Sequence, residues 1–168
     1  SKLSLSKPHA DGNQAQPTCI FVGGFGGKLR DGVTGGQVNA CLALLESPLG
    51  ERIRWLKIDS TQESIPPPGL MRRSRTALVR MAKFVALSLK PENQRALIFT
   101  ADGLSFLEKG VMVLLAKAIR LRVVLCPRSG IIIDDLVKGG WRKRFIAWVL
   151  ESCDVVVCQS SYWKDYFL

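Results

Sequence analysis

Histidine is nearly missing from this chain: among 168 residues only His9 is one, and it lies in a polar N-terminal stretch. A histidine-based acid–base pair or a zinc site therefore has almost nothing to draw on. The five cysteines, Cys19, Cys41, Cys126, Cys153 and Cys158, show no CxxC spacing and sit mostly in apolar runs. Their odd number and the length of the chain argue against a disulfide framework, and they favour a reducing, cytoplasmic compartment. No apolar run approaches the roughly 20 residues needed to cross a bilayer. Ser1 to Pro17 lacks an apolar centre, so it is not a secretory signal and reads as a flexible leader. Acidic residues are scarce as well, 14 against 24 lysines and arginines, which leaves a net charge of +10. That balance calls for an anionic partner: a phosphorylated ligand, a nucleic acid or an acidic membrane face.

What is present is glycine in one place. The apolar run Thr18–Val22 leads directly into Gly23-Gly24-Phe25-Gly26-Gly27, and after Thr34-Gly35-Gly36 the residues Val38, Cys41, Leu42 and Leu45 recur at helical spacing. A buried strand, a glycine-rich loop and a helix start bring bare backbone N–H groups to a sheet edge, with the helix dipole behind them. That geometry suits a phosphate. A long connecting turn is the plainer reading, but a turn needs fewer glycines.

From Thr18 onward, strand and helix patterns alternate. Strands are predicted at 18–22, 52–59, 95–100, 121–126 and 154–158, and helices at 36–46, 70–90, 104–119 and 141–152, with another helix from Ser160 onward. Pro66-Pro67-Pro68 forces an extended connection between the second strand and the long helix. The strands are short, branched and mostly apolar throughout, the mark of a parallel sheet covered on both faces. The expected fold is α/β and Rossmann-like, with residues 18–168 as one domain. In such sheets ligands collect at the C-terminal ends of the strands. Here those ends carry 23–36, Asp59-Ser60-Thr61, Thr100-Ala101-Asp102-Gly103, Pro127-Arg128-Ser129-Gly130 and Gln159-Ser160-Ser161.

Three phosphate-loop templates can be laid on the first loop. The P-loop pattern GxxxxGK[ST] fails, because Leu29 follows Gly27-Lys28 and Val22 stands where the first glycine belongs. The dinucleotide pattern GxGxxG fails at Leu29, and Asp59 comes too late to be the ribose-binding acid, which disfavours a nicotinamide enzyme. The third fits better. Gly35-Gly36-Gln37-Val38 opening a helix after a strand and a loop of about ten residues resembles the N-terminal half of family 4 glycosyltransferases, retaining enzymes of GT-B fold. Further resemblance lies in Ala96–Gly103, in Val123-Val124-Leu125-Cys126-Pro127-Arg128 and in Cys153–Ser160, so it spans nearly all of 18–168.

The resemblance implies a transferase that moves a sugar from a nucleotide-diphosphate-sugar donor to a hydroxyl acceptor, a carbohydrate or a lipid-linked one, as in polysaccharide biosynthesis. It places Gly35 and Gly36 toward the donor diphosphate and Asp102, Arg128 and Ser129 on the acceptor side. It implies no cofactor, the nucleotide-sugar being a substrate, and no metal. The family's donor-binding C-terminal domain would be a partner, and because this sequence ends at Leu168 without it, the chain alone is expected not to catalyse. One departure is plain: where the family often has a histidine after the fourth strand, this chain has Arg128-Ser129. The alternative is a non-enzymatic, basic nucleotide- or nucleic-acid-binding module. Against nucleic acid, no strand alternates aromatic with basic residues as a stacking platform does.

Two helices carry further patterns. In 70–90, Met71, Leu78, Ala82, Val85 and Leu89 share one side and are expected to face the core. Arg72, Arg73, Arg80 and Lys83 share the other, a solvated back or a contact for an anionic membrane surface on the inner face of the membrane. Trp141, Phe145 and Trp148 form a second stripe expected to pack on the sheet. Ile131–Ile133 is expected in a loop, and Asp134 or Asp135 as a helix cap rather than a metal ligand.

Overall fold

A computed structural model describes residues 16–26, 36–61 and 69–167 of the chain. Five strands, β1 (Thr18–Gly23), β2 (Arg54–Asp59), β3 (Arg95–Thr100), β4 (Arg122–Pro127) and β5 (Val155–Val156), form one sheet in the order β2-β1-β3-β4-β5. Every pairing is parallel. The helices are α1 (Gly36–Leu45), the short α2 (Pro48–Glu51), α3 (Leu70–Ser88), α4 (Gly103–Ala118), α5 (Ile131–Lys138), α6 (Gly140–Ser152) and α7 (Ser161–Phe167). The molecule is an α/β, Rossmann-like fold.

The strands are apolar on both sides because both sides are covered. Along β1, Ile20 and Val22 face one core while Cys19 and Phe21 face the other, the period of two that a strand imposes. Ile20 and Val22 join Ala96 and Ile98 of β3 and Val123 and Leu125 of β4, packed against Phe84 of α3, Met112 and Val113 of α4 and Val149 of α6. Phe21 joins Leu97, Phe99 and Cys126, packed against Cys41 and Leu44 of α1. The strand order accounts for this division. The chain steps one way from β1 to β2 and the opposite way through β3, β4 and β5. Right-handed crossovers then put α1 on one face and α3, α4 and α6 on the other. The reversal falls between β1 and β3.

Three expectations about phase and boundaries are corrected. The apolar stripe expected to bury on α3 faces outward, with Met71 89%, Leu78 70% and Leu89 65% exposed. Phe84, Met81 and Ser88 turn inward instead. On α6, Trp141 and Trp148 are likewise exposed, at 61% and 58%, while Ile146, Val149 and Leu150 bury. Only Phe145 of that stripe packs, its ring edge-to-face with Phe106 at 6.3 Å. Ile131–Ile133 begins a helix rather than a loop, with Ile132 and Ile133 buried. Asp134 and Asp135 therefore lie inside α5 and cap nothing. Gly130 holds the cap position, and Asp135 faces Arg142 at 3.5 Å.

Candidate functional site at the carboxyl edge of the sheet

The loop leaving β1 is held by the end of β2. Asp59 Oδ1 accepts from the amide of Phe25 at 3.2 Å, from the amide of Thr61 at 2.9 Å and from the Thr61 hydroxyl at 2.5 Å. Thr61 Oγ1 in turn accepts from the amide of Gly26 at 3.2 Å, and the amide of Ser60 donates to the carbonyl of Gly23 at 2.7 Å. Burial works against ionisation of Asp59. The hydroxyl and amide of Thr61 and the amides of Phe25 and Gly26 outweigh it and hold the carboxyl below its ordinary 3.8. Asp59 is thus spent on the protein's own backbone. Its task is to fix the path of residues 23–26.

That path brings α1 against the strand end. A Cβ at Gly24 would lie 3.0 Å from Val38 Cγ2, and one at Gly23 would lie 2.7 Å from Cys41 Sγ. The absence of side chains at these two positions lets the first turns of α1 sit down on the loop. Gly36, the first residue of α1, differs: a Cβ there would meet nothing within 4 Å among the described residues. None of the described residues therefore covers the helix start at this position. Gly35, expected to share this role, lies outside the described residues.

The acceptor-side residues proposed from sequence come together on the neighbouring loops. Thr100 and Pro127 are the last register pair of β3 and β4, and the amide of Arg128 donates to the carbonyl of Thr100 at 2.8 Å. Asp102, at the head of α4, makes no side-chain cap bond there and is half-buried. The Ser129 hydroxyl accepts from the amide of Ile131 at 3.4 Å, starting α5. Arg128 is exposed, and with the Gln159 amide turned so that its oxygen faces the guanidinium, that oxygen accepts from Nε and Nη1, each at 3.1 Å. Sequence alone missed this pair. It follows from β5 lying beside β4, and only the strand order reveals that.

Charges from both groups of loops reach the Cys41 thiol. Burial raises the Cys41 thiol. Among the weaker influences on it are a bond with the Gly24 backbone, the positive charge of Arg128 and the negative charge of Asp59. Burial likewise pushes Cys126 up to about 12, opposed by Arg128. These two thiols, and Cys19 at about 11, stay protonated at neutral pH and are poor nucleophiles. Among the described residues no three His, Cys, Asp or Glu side chains converge as metal ligands.

The basic face of α3 divides. Arg72, Arg73 and Lys83 are exposed, and Lys83 Nζ donates to the carbonyl of Lys57 at 3.2 Å. Arg80 turns inward and pairs two-pronged with Glu108 of α4, at 2.8 and 2.9 Å. It therefore does not belong to the exposed cationic set. No helix among the described residues is long and apolar enough to cross a membrane. No family model matches this chain, and no curated protein matches its sequence.

Proposed function

We propose that this chain is the acceptor-side, Rossmann-like domain of a retaining glycosyltransferase of family 4 type, with GT-B architecture in the whole enzyme. It would serve transfer of a sugar from a nucleotide-diphosphate-sugar to a hydroxyl of a carbohydrate or lipid-linked acceptor. The observation that carries the reading is the start of α1 at Gly36, uncovered among the described residues and set beside β1 where the strand order reverses. In open parallel sheets that reversal opens the crevice in which ligands bind. On one side of it are the β1 loop and the α1 amides; on the other are Asp102, Arg128 and Ser129.

The chemistry asked of this edge is electrostatic. As the glycosidic bond breaks, negative charge grows on the departing diphosphate. Fixed N–H groups at a helix start meet that charge without reorganising. Asp59 and Thr61 serve by holding the loop in place before the ligand arrives. Arg128, oriented by Gln159, offers a planar set of donors to acceptor or donor oxygens.

The test is an amide chemical-shift titration of the isotope-labelled chain with a panel of nucleotide-diphosphate-sugars, with a single-stranded oligonucleotide as the rival ligand. Shifts at Gly24, Phe25, Gly36 and Gln37 with a nucleotide-sugar support the reading. It falls if no member of the panel moves these amides even at millimolar concentration, which compensates for a donor held mainly by the other domain. It falls equally if the oligonucleotide binds instead, with the steep salt dependence of phosphate neutralisation.

A further inference from the structure

The outward stripe of α3 is an apolar row that no described element covers. Met71, Leu78, Ala82 and Leu89 stand at i, i+7, i+11 and i+18, so they fall on one line along the helix. All four are exposed. At 1.5 Å per residue the 19-residue helix carries this line for about 28 Å. Isolated exposed leucines need no explanation, but an aligned row of apolar side chains along a whole helix does. Beside the row stand Arg72, Arg75, Lys83 and Lys90, also exposed. The helix contains no acidic residue.

We infer that the outer face of α3 docks on an anionic lipid bilayer. The helix lies in the plane of the interface, with Met71, Leu78 and Leu89 among the upper acyl chains and the flanking cations against lipid phosphates. Charge selects this occupant. A second copy would set one all-basic face against another, whereas an anionic bilayer supplies both a negative layer and the apolar layer beneath it. The opposite face of the helix is already engaged, through Phe84 in the core and Arg80 on Glu108, so α3 can lie on a surface without leaving the fold. This inference stands on α3 alone. It holds or fails independently of any nucleotide-sugar binding at the sheet edge.

Co-sedimentation of the whole chain with phosphatidylcholine vesicles, with and without 30 mol% phosphatidylglycerol (about three lipids in ten), tests it. Binding is expected to the anionic vesicles, and to weaken as salt screens it. The double variant Leu78→Glu, Leu89→Glu is expected to lose at least about tenfold in partitioning, with an unchanged thermal melt because both positions are exposed. The double variant Trp141→Ser, Trp148→Ser is expected to bind as the parent does. The inference is overturned if the parent ignores anionic vesicles or binds neutral ones equally. It is also overturned if the α3 variant keeps full binding, if the tryptophan variant loses it, or if the α3 variant instead converts a dimer to a monomer in sedimentation velocity.

Discussion

Gly110 and Gly36 both sit in helices beside the same sheet, and their surroundings are opposite. In α4, a Cβ at Gly110 would lie 2.7 Å from Phe145 Cε1 and 3.0 Å from Val149 Cγ2, both on α6. That glycine lets two helices close on each other. In α1, a Cβ at Gly36 would touch nothing among the described residues. The first glycine is required by packing; the described residues place no packing demand on the second. A residue type that costs helix stability, at a position where none of the described residues needs it, points to something that approaches from outside.

The neighbouring seam, between α4 and α3, is sealed by charge. Glu108 pairs with Arg80 through both oxygens, and its Oε2 also pairs with Lys109 at 3.3 Å, a lysine only 3% exposed. Burial pulls the Lys109 ammonium below its ordinary value, with Glu108 opposing that pull. Burial also opposes ionisation of Glu108, but Arg80 and Lys109 outweigh it and hold the carboxyl below 4.5. The largest expected effect on the comparison is therefore Glu108→Gln. It leaves two cations in the seam without a counter-charge and is expected to destabilise the fold by about 3 kcal/mol. Urea unfolding measures this. Lys109→Met, which removes the buried charge together with its desolvation cost, is expected to be nearly neutral. If the two variants unfold alike, the seam is not held by this network.

Next in size is Gly110→Ala. The added methyl meets the edge of an aromatic ring already packed on Phe106, and overpacking of this kind costs about 1–3 kcal/mol. The better helix propensity of alanine returns about 1 kcal/mol of it. The matched change Gly36→Ala is expected to leave stability unchanged or raise it by at most about 0.5 kcal/mol. Yet it is expected to weaken nucleotide-diphosphate-sugar binding by about tenfold, through a methyl set where the diphosphate must approach. Paired melts and titrations of the two variants decide the matter. If Gly36→Ala binds as the parent does, the open helix start is not a ligand site.

The layers of this molecule were open to sequence reading to different degrees. The limits of β3 were predicted to the residue, because Arg95–Thr100 is apolar on both faces and a parallel interior strand admits little else. At the other extreme, the strand expected over 154–158 shrinks to Val155 and Val156, with the amides of Asp154 and Val157 bonding β4 on either side. Asp154 instead turns its carboxylate to Lys117 Nζ and the amide of Val123, at 2.8 and 2.7 Å. Helix periodicity located α3 and α6 but misjudged which side turns inward. Each carries two apolar arcs, and spacing alone cannot say which one meets the sheet. In α3 the arc with Phe84 is the one that buries, while Leu78 stays outside. The candidate site was legible as a set of strand ends. What joins them, Asp59 on the β1 loop and Gln159 on Arg128, depends on which strands are neighbours.

The smallest effect sharpens the open side of the comparison, because it concerns the loop that positions the helix start. Asp59 has a carboxyl held below its ordinary value in the fold, so ionised Asp59 binds the loop more strongly than the protonated acid does. A lowered folded value means that the contribution is complete above the unfolded value. It is lost as pH falls through the folded one. Between about pH 5 and pH 2 the amides of Phe25 and Thr61 are therefore expected to lose protection, measured against the intrinsic exchange rate at each pH, ahead of the amides in β3. Asp59→Asn, which keeps one acceptor oxygen but cannot ionise, is expected to flatten this dependence and to leave the global melt close to the parent's. Should Phe25 keep the same protection throughout that range, the loop owes its path to something other than this carboxylate. The pre-set amides proposed to meet the diphosphate would then lose their support.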